Sequence, residues 1–274
     1  LQVAPSTVGL DLVAVTIDTS VAVRGSVAVI ELLPTAVPTT GPAPGALALL
    51  ERLADAVARC IDLPAVQAIV ITGQGRDLAG QAGTATAAMD TIDATAYALA
   101  GQAALAVIAD SLRPVIAAMA GPWLDEWLEI ALACDLRVAS AEATVGLTGV
   151  AHGTGSGFGG LTRMARLVGP GRAKWIALGG QTAVASEARE LGLVDCVAAP
   201  GEALETALIV ARRIAAASPQ AVAAAKTAID DGASVMLLPE ALRSEAAAYG
   251  LLAADTAAGA WRRARAKELG TLVI

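Results

Sequence analysis

The stretch Pro114–Asp135, PVIAAMAGPWLDEWLEIALACD, decides how the rest of the chain is read. Pro114 to Met119 is an unbroken apolar run of strand length, and Gly121-Pro122 after it is a turn signal. Apolar residues then recur at helical spacing from Leu124 to Cys134, with Asp125, Glu126 and Glu129 near the start. Acidic residues suit a first helical turn, where unsatisfied N–H groups carry partial positive charge. A turn that feeds a helix in this way aims free backbone N–H groups outward and makes a natural anion or oxyanion site. The spacing predicts a strand, a turn, a helix and a further short strand at Leu136–Ala139.

Outward from this segment, strands and helices alternate. Val8–Ile17 and Ser26–Leu33 read as strands, rich in β-branched residues. Ala68–Thr72, AIVIT, is a continuous apolar strand of the kind found in a sheet covered on both faces. Leu47, Leu50, Leu53 and Val57 give Gly45–Cys60 a helical apolar stripe, and Tyr97–Leu112 reads as another helix. Pro34–Pro44 is a Pro/Gly/Thr loop, Gly73–Gly83 contains glycines, and Thr154–Gly160, TGSGFGG, is a second glycine-rich loop before a helix through Arg163 and Leu167. From Gly171 the chain is mostly helical. Ser186 is the expected cap of EARELG, and helices are expected over Glu202–Ala216, Pro219–Asp230 and Leu238–Lys267. The alternation indicates βαβ units and an α/β fold.

Composition narrows the function. The 274 residues are 55% hydrophobic but only 3% aromatic, so the core is built from Ala, Val, Leu and Ile. A net charge of -7 and a pI near 4.8 argue against a general binder of nucleic acid or of acidic membranes. Three scattered cysteines and one histidine argue against a zinc site of the Cys/His type. Leu99–Ile108 is apolar but too short to span a bilayer and is followed by Asp110 and Arg113. No charged leader precedes an apolar core at Leu1, so a cytoplasmic protein without a signal peptide is expected. A mean hydropathy of +0.62 without a membrane span suggests large buried interfaces and an oligomer.

From Val27 to Lys267 the order of segments resembles the crotonase (enoyl-CoA hydratase/isomerase) superfamily. PVIAAMAG followed by LEIALACDLRVAS is similar to the family's strand, helix and strand. ATVGL, GTGSGFGGLTRMARLVGPGRA and LGGQTAVASEARELGLVDCV follow in the family's order and spacing. The resemblance implies an α/β, crotonase-like (ClpP/crotonase) ββα-spiral core over residues 1–198 and a helical C-terminal trimerisation region over 199–274. It implies a homotrimer or a dimer of trimers. The substrate would be an acyl-CoA or acyl-carrier thioester, with no permanently bound cofactor. The thioester oxygen would sit between two backbone N–H groups, which fall at Gly80 and Glu126. Glu129 would be the acid/base, and the second carboxylate of the hydratases falls at Gly149. Coenzyme A contacts fall at Ala46, Leu78 and Ala82, with Lys226 and the Arg262, Arg263, Arg265, Lys267 cluster available for its phosphates.

Asp125, Glu126 and Trp127 stand where the family carries glycines. Asp125 and Glu129, four apart, share a helix face, and with Glu126 they form a trio in which one carboxyl could have a raised pKa and act as an acid or base, or which simply faces solvent in the first helical turn. Trp123 and Trp127 are expected to fill part of the acyl pocket. His152 lies three residues past Gly149 and could carry the proton of the missing acid. The Gly155–Gly160 run could cradle a phosphate or simply shape the pocket. Arg76 and Asp77 read as solvated loop residues. Two functions stay open: enolate chemistry on an acyl thioester, and a non-catalytic protein that binds acyl ligands or a partner. An α/β hydrolase is disfavoured, since the chain has no GxSxG elbow and a single histidine.

Overall fold

The computed structural model describes residues 12–13, 19–32, 45–73, 89–217 and 219–233. Its main sheet has seven strands in the order β1-β2-β3-β4-β5-β7-β10. Strands β1 (Leu12–Val13), β2 (Thr19–Arg24) and β3 (Val27–Leu32) are antiparallel; β4 (Ala68–Gly73), β5 (Val115–Met119), β7 (Leu136–Ser140) and β10 (Cys196–Ala198) continue from β3 in parallel. Sequence periodicity finds β3, β4, β5 and β7 within a residue or two. It misses β2, which forms a hairpin with β3 through a turn at Gly25, φ +67. Of the strand expected over Val8–Ile17, only Leu12–Val13 is described. The Pro34–Pro44 loop, most of the Gly73–Gly83 loop and the Leu238–Lys267 helix lie outside the described residues.

The sheet is covered on both faces, which is why its strands read as continuous apolar runs. Ile30, Ile69, Ile71, Ala117 and Met119 face the larger core, shared with α1 (Gly45–Ile61) and α2 (Thr91–Ala109). Their neighbours Val29, Val70, Ile116 and Ala118 face the other way, onto Ala207, Leu208 and Ala211 of α7 (Ala203–Ala215). α7 falls in the stretch that sequence assigns to the C-terminal region, yet it closes the second face of the core sheet. Helix α2 begins at Thr91, six residues before the expected Tyr97, because Asp90 caps it. At 19 residues it is long and apolar enough to cross a bilayer by length and composition. Here Tyr97, Gly101, Leu105 and Ile108 bury one side of it, and it packs along α1.

A second, small sheet holds β6 (Pro122–Leu124), β8 (Thr144–Gly146) and β9 (Ala183–Val184) in the order β6-β8-β9. Gly121-Pro122 is therefore less a turn than the entry to an edge strand, where a proline that lacks an N–H is tolerated at the first position. The pairing of Leu124 with Gly146 delays the next helix, α3, to Glu126–Ala133. Helices α4 (Gly160–Val168), α5 (Pro170–Gly179), α6 (Ala185–Leu191) and α8 (Pro219–Ala233) complete the described chain. Ser186 does not cap α6: the N-cap is Val184, whose N–H donates to the Glu187 carboxylate at 3.3 Å.

Candidate active site

The start of α3 gathers most of the described residues singled out by sequence. Asp125 precedes the helix with φ 50 and ψ -116, the one non-glycine residue of positive φ among those described. These are the angles of the first central residue of a type II′ turn, a position dominated by glycine. An L residue there costs about 1–3 kcal/mol. Its carboxylate offsets this cost with bonds to one distant turn: Thr148 N–H (2.6 Å) and Gly149 N–H (3.0 Å) donate to Oδ1, and Thr148 Oγ1 donates to Oδ2 (2.6 Å). Because the helix starts after Asp125, the residue does not share a helical face with Glu129 as the spacing alone suggests.

Glu129 points to another place. It is 2% exposed, and its Oε1 accepts from Phe158 N–H at 3.1 Å, from Gly160 N–H at 2.9 Å and from the Ser156 hydroxyl. The glycine-rich loop does cradle an anion, but the anion is this carboxylate. That corrects the phosphate reading of Gly155–Gly160: Phe158 and Gly160 spend their N–H groups inside the protein. A Cβ on Gly160 would lie 2.6 Å from Glu129 Cγ, so the close approach requires glycine. Glu126, the first residue of α3, is 8% exposed.

The segment between these anchors carries the other candidates. Gly149 opens a 3-10 turn, Gly149–His152, and is half-buried; a Cβ there would meet Thr154 Oγ1 at 2.9 Å. His152 ends the turn, half-buried, and the turn packs against α5. Asp125 thus holds the front of residues 148–160 and Glu129 the back. Helix α2 adds a third hold. Gln102 Nε2 donates to Gly157 O at 2.9 Å, and the Phe158 ring packs edge-on to Tyr97 with centroids 5.2 Å apart. Gly101 makes room for it: an added Cβ would lie 2.0 Å from the Phe158 ring. Sequence reasoning passes over Thr148, Ser156 and Phe158. It passes over Gln102 too, although a polar residue inside the apolar run Leu99–Ile108 is a visible signal.

Trp123 and Trp127 are 0% and 4% exposed. They meet edge to face at 5.3 Å and pack at the end of β4, where Trp123 Nε1 donates to Gly73 O at 3.3 Å and Trp127 would block any side chain on Gly73. The Trp127 indole N–H is buried with no acceptor among the described residues, an arrangement that costs about 1–3 kcal/mol. Ala46 lies in the first turn of α1, half-buried against the core. Gly80, Leu78 and Ala82, with Arg76, Asp77 and the basic cluster from Arg262, lie outside the described residues. Lys226 is committed to Asp135 just past α3, at 2.5 Å, rather than left for a ligand. Asp135 Oδ2 also accepts from Val115 N–H at 2.7 Å. Burial pushes the Asp135 carboxyl up, against the pull of Lys226.

The two buried cysteines, Cys60 and Cys134, do not compete with the carboxylates. Burial, reinforced by the Asp135 charge, pushes the Cys134 thiol up to about 12, and burial takes Cys60 to about 11. Neither supplies a thiolate near neutral pH.

Known proteins share the fold and much of the sequence. The enoyl-CoA hydratase/isomerase family profile matches residues 46–257. The chain is 37% identical over 200 residues to the crotonyl-CoA hydratase of Syntrophomonas wolfei, covering 72% of this chain and 76% of that one. It is 36% identical to the short-chain-enoyl-CoA hydratase of Clostridium acetobutylicum, over 68% of this chain and 71% of the other. Among solved structures it is similar to the enoyl-CoA hydratase of Bacillus anthracis, with a TM-score of 0.69, 30% identity, and 86% and 91% of the two chains covered.

Proposed function

The chain belongs to the enoyl-CoA hydratase/isomerase family, with its crotonase fold, and from that membership we propose that it acts on a short-chain enoyl-CoA through an oxyanion-stabilised enolate. The observation that carries the reading is the geometry of one helical turn. The Asp125 carbonyl accepts the Glu129 N–H at 2.9 Å. Carbonyl and N–H of a trans peptide point in opposite directions, so the Glu126 N–H leaves the helix start away from the helix body. Glu129, on the same turn, is buried and immobilised.

A thioester oxygen placed on the Glu126 N–H gains most when negative charge moves onto it, as the substrate becomes an enolate. Gly80 supplies the second N–H in this reading. Glu129 transfers the proton: its Oε1 is held in place, and the rigid carboxylate takes a proton from one substrate carbon and returns it to another, or accepts one from water. Gly149 offers no second carboxylate, and water addition needs both a base and an acid. The site is therefore non-standard, and isomerisation, which a single carboxylate can carry, asks less of it than hydration does. Trp123 and Trp127, packed at the end of β4, favour a short acyl group. That preference agrees with the relatives named for crotonyl-CoA and short-chain enoyl-CoA. The family also points to a homotrimer or a dimer of trimers, which sedimentation equilibrium measures.

The test is a turnover and thermal-shift screen over crotonyl-CoA, long-chain and aromatic enoyl-CoAs, with Glu129→Gln as control. Crotonyl-CoA is expected to be hydrated or isomerised, and the control to lose about 10²–10⁴-fold in kcat. A control that keeps wild-type turnover removes Glu129 from the chemistry. A second reading has its own support: Oε1 of Glu129 already holds three donors, as a purely structural carboxylate would. Thermal stabilisation by crotonyl-CoA without turnover favours that reading, a non-catalytic protein that binds acyl ligands.

A further inference from the structure

We propose that Asp125 is a positioning residue: its side-chain bonds hold the backbone torsions that aim the Glu126 N–H. The torsion ψ of residue 125 rotates the peptide plane shared by residues 125 and 126. Whatever fixes that torsion fixes the direction of the Glu126 N–H. Among the other described helix starts, those before α4 and α5 place positive φ on glycine, at Gly159 and Gly169, Glu202 before α7 has φ -102 and ψ 13, and two carry extended non-glycine residues. Asp90 before α2 has φ -76 and ψ 176, and Val184 before α6 has φ -70 and ψ 159. Both are extended, as N-cap residues usually are. Asp125, at φ 50 and ψ -116, directs its following peptide elsewhere.

Four contacts secure that conformation from outside the helix. Asp125 N–H donates to Gly146 O at 2.9 Å. Its carboxylate receives the N–H groups of Thr148 and Gly149 and the Thr148 hydroxyl. Glycine, which the family resemblance places here, reaches a positive φ freely but leaves the torsion unguarded. Aspartate accepts the steric strain and adds a tether of charge-assisted bonds. The result is a peptide plane pinned between β8, the Thr148–Gly149 turn and α3. The catalytic consequence rests on the role given above to the Glu126 N–H; the tether itself does not.

The experiment compares Asp125→Gly, Asp125→Asn and Thr148→Val in the full chain. The first readout needs no substrate: the residual dipolar coupling of the Glu126 N–H in deuterated protein reports the direction of that bond. It is expected to change in Asp125→Gly, with hydrogen exchange of the Thr148 and Gly149 amides faster by about tenfold or more. The Phe158 and Gly160 amides, tied to Glu129, stay as they were. Thr148→Val, which keeps the aspartate and two of its donors, is expected to change both signals less. With crotonyl-CoA, Asp125→Gly is expected to lower kcat by about 10–10²-fold with KM within about twofold. Asp125→Asn recovers part of the loss, because its amide oxygen still accepts an N–H. An unchanged coupling and unchanged exchange in Asp125→Gly overturn the proposal; a changed coupling with wild-type kcat overturns instead the role given to the Glu126 N–H. If the wild type turns over no enoyl-CoA, the enzymatic reading fails, and coupling and exchange still decide whether Asp125 holds the amide.

Discussion

At the start of α2, Asp90 is exposed and extended, and its Oδ1 takes the Asp93 N–H three residues on at 2.8 Å. At the start of α3, Asp125 turns its carboxylate away from the helix, to a turn more than twenty residues downstream. The two sequences look alike: an aspartate, then another acidic residue within the first turn. Asp90 satisfies the helix that follows it, a local task. Asp125 and Glu129 satisfy the loop 148–160, and the Asp125 side chain makes no cap bond to α3. The difference is one of burial and of sequence distance, and mutations at each place are expected to differ in the same way.

The largest effect is expected where the buried arrangement has no slack. Gly101→Ala places a Cβ 2.0 Å from the Phe158 ring. The ring cannot retreat easily, because Tyr97 lies against it and the Phe158 N–H is bound to Glu129. Overpacking of this kind costs about 1–3 kcal/mol, and the upper end is expected here, read from denaturant unfolding. Turnover of crotonyl-CoA is expected to fall as well, since Glu129 moves with the loop. Full stability in this variant would show that α2 is not the floor of the site.

A smaller loss is expected at the far end of α3. Lys226→Met leaves the Asp135 carboxylate, about a fifth exposed as a side chain, with the Val115 N–H. Removing one partner of a well-buried pair costs about 3–5 kcal/mol; with water reaching Asp135, about 2 is expected. The pH dependence has a definite sign. Asp135 is raised in the folded state by burial, so the folded protein binds that proton more readily than the unfolded chain. Its contribution to stability is full below the unfolded aspartate pKa and is lost as pH rises through the folded value. Lys226 opposes the shift, so Lys226→Met is expected to raise it and to widen that window upward. Melting temperatures of the two proteins should converge as pH falls; a gap independent of pH would place the cost of the substitution elsewhere.

How far the sequence reveals this molecule follows from the same contrast. Strands β3, β4, β5 and β7 are legible because a sheet buried on both faces leaves continuous apolar runs, and α1 and α7 because one side of each is buried and the other polar. Strands β6, β8 and β9 are three residues or fewer, too short for any periodicity, and Pro122 reads as a turn until its place at a sheet edge is known. Glu129 and the vacant position at Gly149 come from resemblance, which carries over a pattern of positions. The destination of the Asp125 side chain is hidden from both routes. Spacing puts it on a helix face with Glu129, and only the pairing of Leu124 with Gly146 moves the helix start past it. Contacts across long sequence distances decide such details, and no local pattern encodes them.

The smallest effect is expected at the local helix start, which sets the scale for the others. Asp90→Ala removes the acceptor of the Asp93 N–H and leaves α2 its backbone bonds, such as Ala94 N–H to Asp90 O at 2.9 Å. Losing an N-cap costs about 1 kcal/mol. Because Asp90 and Asp93 are exposed, water takes over part of the work and the loss is expected at or below that figure. Crotonyl-CoA turnover should be unaffected, since α2 touches the loop through Gly101, Gln102 and Tyr97, more than a turn further along. Hydrogen exchange gives the sharpest version of the contrast. Asp90→Ala is expected to speed exchange at Asp93 alone, whereas Asp125→Gly speeds it at Thr148 and Gly149, far along the chain. If Asp90→Ala also disturbs the Phe158 or Gly160 amides, the start of α2 is coupled to the site, and its aspartate is more than a local cap.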